Sequence, residues 1–312
     1  MESSLNIDTT LRSRKGDLLS YLRSRANEDL SEVCRQYAVS QFKSRASAVN
    51  AALNKERERL ATVLRQVAAR DGWPNEHLLS TMLLLLHCSN VVILESRHRV
   101  WPYDYMSFSR RIGELWEPFC RTCFDYPVRD DITLFVPPLF DDVRARLSQE
   151  VRSFIDSLNL TPAEKESLLR YYDQVWRLVA SGEIKLALDL HFSIESTRFV
   201  VDVKSGFSSN EKGNTNRLLL VASVYRNIEP EDYRCLMWVR SAEEENNHYL
   251  QTLKNSGLWE VYCGPKAYDS IRELSGFDLA AWVQGNIAWE RDLEHELHEY
   301  LVQNDLVKYL SW

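Results

Sequence analysis

Asp189, Asp202 and Lys204 are the residues whose types and spacing fit joint chemistry in this 312-residue chain. In a strand, side chains two apart project to the same side, so Asp202 and Lys204 share a face. Asp189 lies in the preceding apolar run, where a hairpin register brings it beside them. Two carboxylates and one ammonium converging on one point suit hydrolysis of a phosphodiester. A hard cation such as Mg²⁺ takes carboxylate oxygens and keeps several of its waters. It stabilises phosphoryl charge and makes a bound water more acidic. The lysine then orients that water or helps to deprotonate it. The carbonyl of Val203 offers a further oxygen ligand.

The strands that must position these groups are legible as alternation. Ile184, Leu186, Leu188 and Leu190 alternate with Lys185, Ala187, Asp189 and His191, which predicts a first strand. Ser193 to Thr197 reads as a turn. Phe199, Val201 and Val203 alternate with Val200, Asp202 and Lys204, which predicts a second strand and closes a hairpin. Such apolar strands belong in a sheet centre, where a carboxylate without a purpose is costly to bury. The bland alternative is a hairpin with a solvated charged face. Glu183-Ile184-Lys185 repeats the acid-x-Lys spacing, but the residues before it read as helix rather than as a paired strand.

Around the hairpin the pattern is mostly helical. Residues 10–70 carry apolar positions at helical spacing and no Pro, until Pro74 ends the run. A second helix covers 76–94, and 97–106 reads as a loop. A strongly amphipathic helix follows at 107–124, with Phe108, Ile112, Leu115, Trp116, Phe119 and Cys123 on one stripe. Pro118 is expected to kink it or end its first part. Helices fit 139–157 and 161–180, the second opened by Thr161-Pro162 with Glu164. After the hairpin, Leu218–Tyr225 reads as a helix capped near Asn214-Thr215. Cys235–Arg240 and Trp259–Cys263 read as short buried strands, and an amphipathic helix near 289–310 closes the chain. The expectation is a mixed α/β protein: a mainly helical region over 1–180, serving DNA binding or dimerisation, and a core over 181–312. The helix at 107–124 is expected to join that core.

The segment ALDLHFSIESTRFVVDVKSG resembles the signature of the PD-(D/E)xK nuclease superfamily. Asp189 matches its first acid and Asp202-Val203-Lys204 its second half, with Leu188 where the eponymous proline would stand. The resemblance covers about residues 183–263. It implies a restriction-endonuclease-like αβββαβ core and divalent-metal cleavage of DNA, with Mg²⁺ held by Asp189, Asp202 and Val203. It further implies an acid on the helix before the first strand, where Glu114 and Glu117 lie near each other and Glu114 is the candidate; an ion pair with Arg110 one turn away is its other reading. The polar stretch after Lys204 resembles the post-lysine segment of type II restriction endonucleases. Ser205, Asn210, Lys212, Asn214, Asn216 and Arg217 are then candidates for phosphate contacts, aided by a helix N-terminus. The other reading is an ordinary loop with a cap. Arg97, Arg99, Arg110 and Arg111 mingle with Trp101, Tyr103 and Tyr105, a combination that suits nucleic acid or a loop packed on the core. His191 shares the face of Asp189, as a neighbour of the metal or as a plain strand-face histidine.

The resulting expectation is a type II restriction endonuclease that cuts double-stranded DNA as a homodimer, since one centre cuts one strand and a two-fold pair cuts both. Two alternatives stay open. One is a repair, junction-resolving or nicking nuclease with the same centre. The other is a non-enzymatic DNA-binding or interaction protein.

Composition narrows the classes. The net charge of −7 at first opposes a nucleic-acid partner, but residues 241–312 hold 13 acids against 5 bases, so the first 240 residues sum to +1. A local positive groove is therefore compatible with the sequence. Cys120 and Cys123 form one CxxC with no second ligand pair at zinc spacing, so free thiols are expected. The apolar run from His77 to Leu94 is interrupted by polar residues and reads as buried core rather than as a membrane span. The first residues lack the apolar stretch of a signal peptide, so a cytoplasmic protein is expected.

Overall fold

The computed structural model describes residues 15–179, 184–207, 211–228 and 232–310. The fold is mixed α/β and mostly helical. Five strands form one sheet in the order β1 (Ile132–Leu134), β2 (Leu190–Ile194), β3 (Thr197–Lys204), β4 (Asp232–Val239) and β5 (Glu260–Cys263). β1, β2 and β3 are antiparallel neighbours, while β4 and β5 run parallel to β3.

Three long helices come first: α1 (Lys15–Gln36), α2 (Phe42–Asp71) and α3 (Asn75–Val100). The break between α1 and α2 carries no Pro or Gly and was not legible in the sequence. It is held by the buried Arg45, whose guanidinium donates to the carbonyls of Cys34 and Tyr37 and so satisfies the open end of α1. Gly72, at φ 63°, ends α2 in the left-handed conformation that glycine adopts without steric cost. α3 is apolar on nearly every side, which fits a helix enclosed by others. It is long and apolar enough to cross a bilayer, but most of it is buried inside the protein.

The segment 97–106 is mostly not a loop. α3 continues to Val100, and α4 (Tyr105–Asp125) starts after a short connection. Asp104 and Ser107 form a reciprocal capping box at its start. Pro118 neither ends nor splits α4. Trp116 and Phe119, both fully buried beside it, anchor the helix through the missing hydrogen bond.

α5 (Phe140–Ser157) and α6 (Pro162–Val179) form an inserted hairpin between β1 and β2. β3 leads to α7 (Lys212–Arg226), and α8 (His248–Asn255) lies between β4 and β5. α9 (Pro265–Ser275) and α10 (Leu279–Asn286) follow. The closing helix expected at 289–310 is broken into α11 (Trp289–Asp292), α12 (His295–Gln303) and a 3-10 turn at Val307–Leu310. The break occurs where polar groups leave the helix to meet α1 and α3. The Asp292 carboxylate accepts from the Ala288 N–H, lies 2.8 Å from His87 Nε2 and pairs with Lys15. The Glu294 N–H donates to Glu95 Oε1.

The sheet separates two apolar clusters. On one face Leu190, Phe192, Phe199, Val201, Val203 and Trp238 join a large core with α1–α4 and the C-terminal helices. On the other, Val200, Cys235, Met237 and Val239 meet Leu218, Val221, Ala222 and Tyr225 of α7, with Phe140 and Val143 of α5. Residues from both sides of position 180 therefore share the large core. The expected boundary itself falls at 180–183, outside the described residues.

The hairpin forms with a later first strand than the alternation suggests. Pairing begins at Leu190, opposite Val201, and ends at a two-residue turn, Glu195-Ser196, with Glu195 at φ 53°. Residues 184–189 precede the ladder. Leu186 is buried against α7, and Ile184 and Leu188 pack beside it. Their alternation thus reports burial on a helix rather than pairing with a strand.

Candidate active site

The acid pair is assembled where β2 runs out. Extending the register one step beyond Leu190–Val201 places Asp189 opposite Asp202. In place of a backbone pair, the Asp189 Oδ2 accepts the Val203 N–H at 2.7 Å. N–H and C=O of one strand residue point to the same side. The Val203 carbonyl therefore also projects toward Asp189, past the end of β2. Lys204 points its own carbonyl the other way, to the Arg240 N–H.

Asp202 and Lys204 share the α7 side of the sheet, as the alternation requires. Asp202 is only 1% exposed, and its Oδ2 lies 2.8 Å from Lys204 Nζ. That oxygen forms an ion pair but receives no well-directed hydrogen bond. Oδ1 faces Arg217 Nη2 of α7 at 3.6 Å. Burial raises the Asp202 pKa; Lys204 lowers it and Asp189 raises it further, for a net increase. Burial works against the Lys204 ammonium, but Asp202 and then Asp189 outweigh it and leave its pKa raised. Lys204 is therefore a firm cation, suited to holding a water or a phosphate oxygen rather than to removing a proton.

α4 reaches this centre with one stripe: Gly113, Glu117 and Arg121, each a turn apart. A Cβ on Gly113 would stand 2.8 Å from Ser205 Oγ, so glycine permits the helix to approach the end of β3. Arg121 Nη1 donates to the Asp189 carbonyl at 3.2 Å. Between them, the Glu117 pKa is raised by burial and then by repulsion from Asp189; Lys204 lowers it and Asp202 raises it again. Glu117 is thus the helix acid that senses the centre. Glu114, the residue favoured by the sequence, is 46% exposed and pairs with Arg110 at 2.8 Å and Arg111 at 3.6 Å. Register on the helix decides this. The two acids differ by under one turn, and only the tertiary position of α4 selects which one turns inward.

The other expected contacts divide. Ser205 sits with its hydroxyl against Gly113, and its carbonyl accepts from the Ser241 N–H. α7 starts at Lys212, earlier than the cap expected at Asn214-Thr215. Lys212 and Asn216 are exposed. Asn214 donates to Glu211 and accepts from Arg217 at 3.4 Å, so Arg217 bridges the helix start to Asp202. Asn210 lies outside the described residues. Arg97 and Arg99 are far from free. Arg97 is 9% exposed, stacks its guanidinium on Trp101 and Tyr103 at 4.7 and 4.1 Å, and donates to the Trp101 carbonyl. Arg99 donates to Asn27 and pairs with Glu294. Both hold the end of α3 to its neighbours.

His191 is buried on the α7 side, 3.3 Å from the Tyr225 hydroxyl and edge-on to Phe135. Burial pushes its pKa down to about 4, so it is neutral near pH 7. Cys120 and Cys123 are free thiols buried in the large core. His295 is exposed beside Glu299 on α12.

Among the described residues, no group of three His, Cys, Asp or Glu side chains is gathered into a ready metal cage. The oxygens present are hard donors: the two carboxylates, with the Val203 carbonyl beside them. The Asp202 Oδ2 retains coordinating capacity, since it receives no well-directed hydrogen bond. Such a set fits a hard cation that keeps part of its water shell. Sequence reasoning placed Glu117 near Glu114 but preferred Glu114, and it missed Arg121 and Tyr225; spacing from Gly113 was the signal available for Glu117 and Arg121. No family model, curated protein or solved structure matches this chain.

Proposed function

We propose that the protein is a divalent-metal-dependent endonuclease of the restriction-endonuclease-like kind, acting on double-stranded DNA. The observation that carries this reading is the meeting of Asp189, Asp202 and Lys204 at the end of the β2–β3 hairpin. The order of elements supports it: α4, three antiparallel strands, α7 and a parallel β4 follow the αβββαβ pattern, with α5 and α6 as an insertion.

Asp189, Asp202 and the Val203 carbonyl would hold the cation, and Glu117 would hold one of its waters. Bound there, Mg²⁺ supplies Lewis-acid stabilisation of phosphoryl charge and a more acidic water. Lys204 orients the attacking water and offsets negative charge on the phosphate. Arg217 and Lys212 offer positive charge to a neighbouring phosphate, and the N-terminal end of α7 adds its backbone N–H groups. Arg121 fixes the main chain at Asp189 from the opposite side. A homodimer acting at a two-fold site accounts for cutting both strands.

The test is plasmid cleavage with Mg²⁺ or with EDTA, for the wild type and for Asp189→Ala and Lys204→Ala. Mg²⁺-dependent cutting into discrete linear fragments, lost in both variants, is the expected result. Open circles alone would indicate a nicking enzyme. Undiminished cutting by either variant overturns the assignment of the centre. A folded wild type inactive on diverse DNA would favour a binding protein.

A further inference from the structure

The stretch that delivers Asp189 lies outside the sheet. Pairing starts only at Leu190, so the ladder fixes neither Leu186 nor Leu188. Two buried side chains on the α7 side fasten this stretch. The Tyr225 hydroxyl donates to the Leu186 carbonyl at 2.9 Å. The Leu188 N–H donates to His191 Nε2 at 3.4 Å, and the same nitrogen lies 3.3 Å from the Tyr225 oxygen. Tyr225 is fully buried, and its ring centroid is 4.9 Å from that of Tyr233. His191 is fixed in turn by Phe135, which meets its ring edge-on and donates its N–H to the His191 carbonyl at 3.2 Å.

From this juxtaposition we infer that Tyr225 and His191 are positioning residues: they hold the chain at 186–188 so that the Asp189 carboxylate meets the Val203 N–H and faces Asp202. The inference rests on the metal-centre reading above. Its physical content is preorganisation. A carboxylate on an untethered chain end must be ordered each time a cation binds, and that cost appears as lost affinity. Groups that orient a metal ligand without touching the metal typically change affinity roughly ten- to a hundredfold. The two side chains converge on one stretch, so they should act as a unit rather than additively.

Mn²⁺ binding to the full chain, followed by electron paramagnetic resonance without DNA, tests this separately from activity. Tyr225→Phe removes only the hydroxyl, and His191→Leu removes the acceptor for the Leu188 N–H. Each is expected to weaken Mn²⁺ binding by roughly tenfold, with the double variant no weaker than about twice the worse single variant. Leu22→Ala, in the fully buried part of α1, lowers the melting temperature without approaching the site; it is expected to leave Mn²⁺ affinity unchanged. Wild-type affinity in both Tyr225→Phe and His191→Leu overturns the positioning role alone. A loss of affinity in Leu22→Ala equal to theirs also overturns it, since general destabilisation would then suffice. A wild type that binds no Mn²⁺ overturns the metal-centre reading and this inference with it.

Discussion

Gly113→Ala isolates the contact that lets α4 deliver Glu117 and Arg121. The added Cβ would lie 2.8 Å from Ser205 Oγ and 3.1 Å from Ser205 Cβ. The Ser205 hydroxyl can swing away by rotation about χ1, but its Cβ cannot; ordinary contact is about 3.5 Å, so helix and strand end must part by roughly 0.4 Å. Overpacking of this kind costs about 1–3 kcal/mol. Replacing a mid-helix Gly by Ala offsets about 1 kcal/mol of that. The expected net destabilisation is therefore about 0–2 kcal/mol, leaving the protein folded. Function is more sensitive, because a misplacement of about 1 Å at a reacting centre can cost a hundredfold; half that distance should cost roughly tenfold. Cleavage rate and Mn²⁺ affinity should fall together while the melting temperature shifts by a few degrees at most. Ser205→Gly removes both clashing atoms, so the double variant Gly113→Ala/Ser205→Gly should recover what Ser205→Gly alone retains. The reasoning is refuted if Gly113→Ala binds Mn²⁺ and cuts like the wild type, or if the double variant stays as impaired as the single one.

Two further outcomes follow from the same geometry. Glu117→Gln should slow Mg²⁺-dependent cleavage by tenfold or more, on the scale of removing a group that positions the attacking water, whereas Glu114→Gln should change it by less than about twofold; equal effects would show that α4 does not select between its two acids. Mn²⁺ affinity should fall with falling pH, and the fall should set in above the range of an ordinary carboxylate, because Asp202 and Glu117 both have raised pKa values and a proton competes with the cation for each. The sign follows from burial and mutual repulsion, which favour the protonated form; an affinity that stays constant until ordinary carboxylates protonate would contradict it. Glu117→Gln should flatten this slope.

The acid pair and its lysine were legible because strand chemistry is local. Alternation over 199–204 fixes which residues share a face, and the structure keeps that face. The helices at 139–157 and 161–180 were equally local, set by apolar spacing and a Thr-Pro start. The strands around Cys235 and Trp259 were carried by short apolar runs. Where structure and local pattern differ, a distant group overrides the pattern. Alternation at 184–188 came from packing on α7 rather than from pairing. The α1–α2 break depended on Arg45 reaching back to carbonyls on the preceding helix. Arg97 and Arg99 read as a basic surface, yet aromatic rings and Glu294 from the far end of the chain occupy them.

The sequence by itself determined the chemical identity of the centre: hard oxygen donors and a cation, brought together by a hairpin whose side-chain period is two. Tertiary structure alone decided which helix acid joins them, because Glu114 and Glu117 lie on one amphipathic helix and differ only in rotation about its axis. That rotation is set by Gly113 against Ser205 and by Arg121 on the Asp189 carbonyl, contacts between residues 68 or more positions apart. No local preference encodes them. They exist because the buried stripe of α4 has to seat itself on the sheet.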